Sequence, residues 1–278
     1  MKKAGMRIGV ALLVLVSMMS IAYAAESSNT APSGYKPVSS TSQINPGTQG
    51  VKKILLIEDQ MPWGFNSSTD ALRTLGLPYD IVTAAGLPNV VWNDYSQVIV
   101  SSDQPQYLYD ALGPYISPRG ALYNWVAAGG VLNFHAASWG WQGSNWTAAF
   151  NLPGGISAVN EYQDDVNVTG PAVPLPPAKG PVKAITDADL DYWMSSTHGY
   201  FKYAGGDPIK PSSVVVTLTV AGAPTKPVYI IYKFNKGVVL ATVQTLEWVY
   251  GGSYGTPDSK YALLNDLGAG RMIDNLIS

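Results

Sequence analysis

The chain of 278 residues contains no cysteine. That absence excludes disulfides, a thiolate nucleophile, a cysteine-ligated metal and a lipid anchor on cysteine. Histidine is nearly absent too, with two residues, His135 and His198. A histidine-rich metal site is therefore excluded. Charged residues make up only 13% of the chain, and the formal net charge is −2. No basic surplus exists to meet a phosphate backbone, so nucleic acid is not an expected partner. What the chain has instead is aromatic surface, with 17 Tyr and 8 Trp. Low charge with many amphipathic rings suits an extracellular surface that meets glycans or other proteins.

The amino-terminal pattern is that of an exported protein. Lys2, Lys3 and Arg7 precede an apolar run over residues 8–21, and Ala22-Tyr23-Ala24 follows as a small-x-small cleavage site. The run is too short for a comfortable membrane span. Residues 1–24 are thus expected to be a signal peptide, leaving a secreted chain with no membrane attachment. Cleavage removes three of the 17 basic residues and none of the 19 acids, so the mature chain is acidic. Residues 25–50, rich in Ser, Thr, Pro, Gly and Asn, read as a flexible linker. Residues 51–278 are long enough for one domain with a sizeable core. Sequons occur at Asn66, Asn145 and Asn167.

Within that domain, residues 53–59 form an apolar run closed by Glu58 and Asp59, the pattern of a buried parallel strand. A helix over 67–75 with Ser or Thr as N-cap, Asp70 in its first turn and Gly76 as its stop comes next. Strands follow over 79–83 and 97–102. Ser117-Pro118 opens a further helix, with Leu122, Trp125 and Val126 on its apolar face and Gly129 at its end. A strand then runs into His135. Strands and helices in this order predict an α/β domain with a flavodoxin-like, doubly wound, mostly parallel sheet. Strands over 213–220, 228–234 and 238–243 add a late β-hairpin around a three-residue loop, Asn235-Lys236-Gly237. A short helix over 187–194 and a closing helix over 260–277 complete the domain.

The most telling segment is Gly129-Gly130-Val131-Leu132-Asn133-Phe134-His135-Ala136-Ala137-Ser138. It is a helix stop, a buried strand and a tight turn through small residues. Such turns sit at the carboxyl edge of an open α/β sheet, where ligands bind, and in hydrolases they present the nucleophile. Here the apex falls at His135.

These residues resemble the class I glutamine amidotransferase-like superfamily, and within it the ThuA-like (trehalose-utilisation) group. The similarity continues through Trp146 with Leu152-Pro153-Gly154-Gly155, the acidic and aromatic segment 185–200, and the stretch from Tyr232-Lys233-Phe234 to Thr245. It spans roughly residues 52–275. The departures bear on function. The superfamily uses Cys at the elbow and a His-x-Glu pair after a late strand. This chain has no Cys, and the late strand ends in Gln244-Thr245-Leu246-Glu247-Trp248. Ile156 and Ser157 stand where many ThuA-like proteins carry a histidine after the Gly-Gly turn. The resemblance therefore implies the fold without glutaminase chemistry.

The candidate catalytic residues are His135, Glu247 and Glu58, one His and two acids expected near one rim, with Asp59 beside them. A metal site would need His135, His198 and a carboxylate to converge, which their spacing does not support, so no metal and no cofactor is expected. Trp63, Trp139, Trp141, Trp146 and Trp248 fall on predicted carboxyl-end loops and are the candidate ligand-binding residues, since indole faces stack on sugar rings. The leading expectation is a nucleophile-less domain that binds a glycan or cell-surface partner. The alternatives are an exported carbohydrate-active hydrolase or isomerase using His135 with Glu247 or Glu58, and a structural surface or matrix subunit.

Overall fold

The computed structural model describes residues 52–138, 144–163, 166–168, 185–190, 196–209 and 215–269. The expected signal peptide, the linker, Trp139 and Trp141 lie outside them.

The strands are β1 (Lys53–Ile57), β2 (Tyr79–Val82), β3 (Tyr95–Val100), β4 (Val131–His135), β5 (Ile156–Gln163), β6 (Val166–Val168), β7 (Thr197–Tyr203), β8 (Val215–Val220), β9 (Ala223–Phe234) and β10 (Gly237–Thr242). The helices are α1 (Ser67–Thr74), α2 (Gln106–Ile116), α3 (Ala121–Ala127), α4 (Asp187–Leu190), α5 (Leu246–Gly252) and α6 (Tyr261–Ala269). One eight-stranded sheet runs β2-β1-β3-β4-β10-β9-β8-β6. Its first five strands are parallel to one another, and the last three join antiparallel. The domain is α/β, with five parallel strands and three antiparallel ones in its main sheet.

The core follows from strand periodicity. β1 presents Ile54, Leu55, Leu56 and Ile57, all buried, because both faces of a parallel sheet are covered. On β4, Leu132 and Phe134 point to one face and Asn133 and His135 to the other. Phe134 packs edge-on against Trp146 and Phe150, and Phe150 meets Tyr109 of α2. On the opposite face Asp266 of α6 bonds Asn133 and His135, and α1, α5 and α6 pack on one another.

Several local expectations need correction. The helix expected from Ser117-Pro118 starts at Ala121, with Gly120 at its N-cap. Residues 117–120 close a turn instead, Gly120 N–H donating to Ser117 C=O at 2.8 Å, with Arg119 at φ 74°. A Cβ on Gly120 would clash with the Tyr115 and Pro114 carbonyl oxygens, so no other residue fits there. Helix α2 has no clear sequence signal because it carries Gly113 and Pro114. The hairpin loop has two residues, not three. Gly237 pairs with Phe234, leaving Asn235 and Lys236 between them, with Asn235 at φ 54°. A second, two-stranded sheet of β5 and β7 is also new. It places His198 on a strand, where it is buried.

Candidate functional site

Parallel strands end at a common edge. Here β1, β3, β4 and β10, four consecutive strands of the sheet, run into the segments that bring Glu58, Ser101, Ser102, His135 and Glu247 to that edge. His135 is the last residue of β4. Glu247 lies in the first turn of α5, not at a strand end as its sequence context suggested. An acid is well placed at a helix amino terminus.

These side chains form one continuous buried network. His135 Nδ1–H donates to Glu247 Oε1 at 2.6 Å, and its Nε2–H donates to Asp266 Oδ2 at 2.7 Å. Asp266 Oδ2 also accepts from the Asn133 amide at 2.6 Å, and its Oδ1 accepts from the Tyr229 hydroxyl at 2.6 Å. The Ser102 backbone N–H donates to Glu247 Oε1 at 3.1 Å, and the Ser102 hydroxyl donates to Oε2 at 2.8 Å. The indole N–H of Trp63 donates to Ser102 Oγ at 2.8 Å. Beside this chain of bonds, the Ser101 hydroxyl donates to Glu58 Oε2 at 2.6 Å, with Ser68 Oγ 3.1 Å from Ser101 Oγ. The relative exposure of His135, Glu247 and Asp266 is 0%, and that of Glu58 is 1%.

Burial alone would push the His135 pKa down. The carboxylates of Glu247 and Asp266, each hydrogen-bonded to a ring nitrogen, reverse this and hold it up to about 10. The ring is therefore an imidazolium between two carboxylates. Burial would raise Glu247, but the His135 charge and hydrogen bond, with the hydrogen bonds of Ser102, hold it below the ordinary carboxylate range. Glu58 has no cation in contact among the described residues. Burial, reinforced by Glu247 and opposed by the Ser101 hydrogen bond, raises it to about 8, so its carboxyl is protonated at neutral pH. Burial and Asp266 also raise the Tyr229 phenol well above its ordinary value.

The edge is closed over this network. In open α/β sheets the ligand crevice lies where strand order reverses, here between β1 and β3. That crevice is occupied by the chain's own amides. Gln104 Oε1 accepts from the Asp59 and Gln60 backbone N–H groups at 2.8 and 3.2 Å. Gln104 Nε2 donates to the Gln60 and Ser102 carbonyls at 2.9 and 3.0 Å, and Gln60 Nε2 donates to the Asp103 carbonyl at 2.7 Å. Asp59 is turned away to accept from Ala84 N–H at 2.7 Å. Gln104→Ala should therefore cost about 2–3 kcal/mol of stability, because four backbone groups lose their partner. Chemical denaturation checks this, and a loss under about 0.5 kcal/mol would contradict the clasp.

The structure separates the tryptophans into different roles. Trp146 is fully buried against Phe134 and Phe150 and donates to the Ala136 carbonyl at 2.9 Å. It is a core residue, a correction to its expected place in a ligand site. Trp63 is buried as well, over the network, with its backbone in the left-handed region at φ 55°, ψ 20°. A bulky residue rarely takes that conformation, and it turns the indole inward onto Ser102 and edge-on to His198 at 5.0 Å. Trp248 is half-buried and reaches the surface, stacked on Tyr254 at 4.6 Å. The open rim expected for Trp63, His135 and Glu247 is therefore a sealed core among the described residues.

Asp266, Asn133, Tyr229 and the Ser101-Ser102 pair do not stand out in the sequence as site residues. Asn133 is two residues before His135, hence on the same strand face, which is a readable signal. Asp266 interrupts the apolar stripe Leu263-Leu264-Leu267 of α6, another one. Tyr229 carries no local sign, since only the β9–β10 register sets it beside Thr242, which pairs with His135.

No protein-family model matches the chain. An uncharacterized protein of Clostridium acetobutylicum is 26% identical over 223 residues, covering 78% of this chain and 21% of its own length. The chain thus spans about a fifth of that relative. Among solved structures, a cytoplasmic protein from Salmonella typhimurium is 14% identical with a TM-score of 0.48, covering 79% of this chain and 97% of that one. A carbohydrate deacetylase is 16% identical at a TM-score of 0.42, covering 78% and 32%. A beta-galactosidase from Bacillus circulans sp. alkalophilus is 14% identical at 0.41, covering 81% and 31%. Likenesses this weak assign neither a family nor an activity.

Proposed function

We propose that this chain is an exported, amidotransferase-like domain without a nucleophile, acting by binding a glycan or cell-surface partner. The observation that carries the reading is the state of His135. Both ring nitrogens are taken by buried carboxylates, and no part of the ring meets solvent. A general base must reach the proton it abstracts. This imidazolium has no free lone pair and no accessible edge. The neighbouring serines are equally committed. Ser102 donates to a carboxylate that itself faces the imidazolium, the reverse of an activated Ser–His pair.

The finer fold reading, flavodoxin-like, is supported by the order β2-β1-β3-β4-β10 of the parallel strands. The amidotransferase-like reading draws on the Gly-Gly, strand, His-Ala-Ala segment that ends at this edge. Binding to a glycan is supported by the low charge and aromatic richness of the chain, with Tyr107 and Tyr254 exposed.

A glycan array probed with the full secreted chain, run beside an ammonia-release assay on glutamine, tests this. Retention on the array with no ammonia above a blank is expected. Turnover of glutamine or of any arrayed glycan, lost in His135→Gln, would overturn it in favour of an enzyme.

A further inference from the structure

Resting on the export part of the reading above, we propose that Asn66 is an N-glycosylation site, the acceptor of an oligosaccharide from a lipid-phosphate carrier. Asn66-Ser67-Ser68 is one of three sequons, with Asn145-Trp146-Thr147 and Asn167-Val168-Thr169. The structure sets the first apart from the second. Asn66 is exposed, and its side-chain amide makes no cap bond although the residue stands at the N-cap of α1. Asparagine at that position ordinarily bonds an N–H of the first turn from an extended backbone. Asn66 sits instead at φ −74°, ψ 28°. Its backbone does the work: the Asn66 carbonyl accepts from Asp70 N–H and from the Thr69 hydroxyl, both at 2.9 Å.

The flanking residues fix Asn66 in place. Phe65 meets Trp248 edge-on at 5.7 Å, and a Cβ on Gly251 would run into the Phe65 side chain. Ser67 is buried and donates to the Glu247 carbonyl at 2.6 Å, and the buried Ser68 hydroxyl lies 3.1 Å from Ser101 Oγ. A glycan on Asn66 Nδ2 therefore displaces no cap bond and extends into solvent. Asn145 differs. It is half-buried, its N–H donates to Gln106 Oε1 at 2.8 Å, and its Oδ1 accepts from Thr147 N–H and the Thr147 hydroxyl at 3.0 and 2.7 Å. Trp146, inside that sequon, is fully buried. Asn167 is on β6, whose side chains lie outside the described residues.

The transfer joins Asn66 Nδ2 to the anomeric carbon of the sugar. The bond from that carbon to the carrier phosphate oxygen breaks, the phosphate leaves with the electron pair, and a base of the transferase takes one amide proton. A sequon is defined by its hydroxyl as well as its amide, and Ser68 is 0% exposed in the fold. The transfer therefore precedes the docking of α1 and takes place on the chain during export.

The full chain purified from its native cells or medium is tested by intact mass and by mapping of the peptide that carries residue 66, beside Asn66→Gln made in the same cells. Wild type should begin near Ala25 and carry an oligosaccharide on Asn66. Asn66→Gln, a change at an exposed side chain, should lose that mass and still fold. Ser68→Ala leaves Asn66 in place and removes the sequon hydroxyl, so it should lose the mass too. Mass retained at Asn66 in Ser68→Ala would mean an adduct of another kind and overturn the proposal. A chain processed near Ala25 with Asn66 unmodified would overturn this site while the export reading stands, whatever Asn145 and Asn167 carry. A chain that keeps Met1 and carries no glycan would overturn both.

Discussion

His135→Ala should lower the stability of the folded chain by about 3–5 kcal/mol, the cost of removing one partner from a buried ion cluster. Two carboxylates, Glu247 and Asp266, share the imidazolium at 2.6 and 2.7 Å. Without it they face each other across a cavity with no solvent to screen them. The loss exceeds what the missing side-chain volume explains, and a second variant separates the two effects. Replacing His135, Glu247 and Asp266 together by Leu, Met and Leu removes every charge of the cluster at once. Buried ion clusters replaced whole by apolar residues are often neutral or stabilising. The triple variant should therefore recover most of the loss, less what Tyr229, Asn133 and Ser102 lose as hydrogen-bond donors. Denaturant midpoints followed by tryptophan fluorescence make the comparison. A single-variant loss under about 1 kcal/mol would mean that water reaches the ring, and the sealed-core account would fail.

The second large effect is on pH dependence. Glu58 is raised from 4.5 to about 8. Between those values the folded chain holds a proton that the unfolded chain has released, so stability falls as pH rises through the window. His135, raised from 6.5 to about 10, behaves alike: its contribution is complete below 6.5 and lost as pH climbs through 10. Glu247, lowered from 4.5, contributes above 4.5 and is lost on acidification below it. The stability optimum should thus lie on the acid side, near pH 5. Decline toward pH 10 should amount to several kcal/mol, because a tenfold difference in proton affinity between folded and unfolded chain is worth about 1.4 kcal/mol. Glu58→Gln keeps a neutral group of the same shape and removes its ionisation. It should flatten the curve between about 4.5 and 6.5, lessen the decline from there to about 8, and leave the His135 limb in place. Equilibrium unfolding across pH 4 to 10 measures both. Stability that rises from pH 5 to 9 would refute the assignment.

A closed edge accounts for both results. At this edge of the sheet the chain's own groups are joined to one another. His135 is held between two acids, and Gln104 fills the crevice between β1 and β3.

Local pattern sufficed for the elements whose cause is local. The apolar run at β1, the stripe of α3 and the Gly129 stop all appear in the chain where the structure has them. So does the placement of His135, because a strand that follows a helix stop in an α/β chain ends at the ligand edge. Tertiary structure decided whether that edge is open. No sequence spacing states that Asp266, 131 residues after His135, lies against its Nε2. The same holds for Ser102 and Glu247, which are 145 residues apart. Those pairs are made by strand order and by the placement of α5 and α6 against the sheet. The pKa values follow from that docking and not from residue identity. An acid beside a tryptophan in sequence reads equally as a general acid or a buried ion. Only the distance to the cation and the exclusion of water select between them.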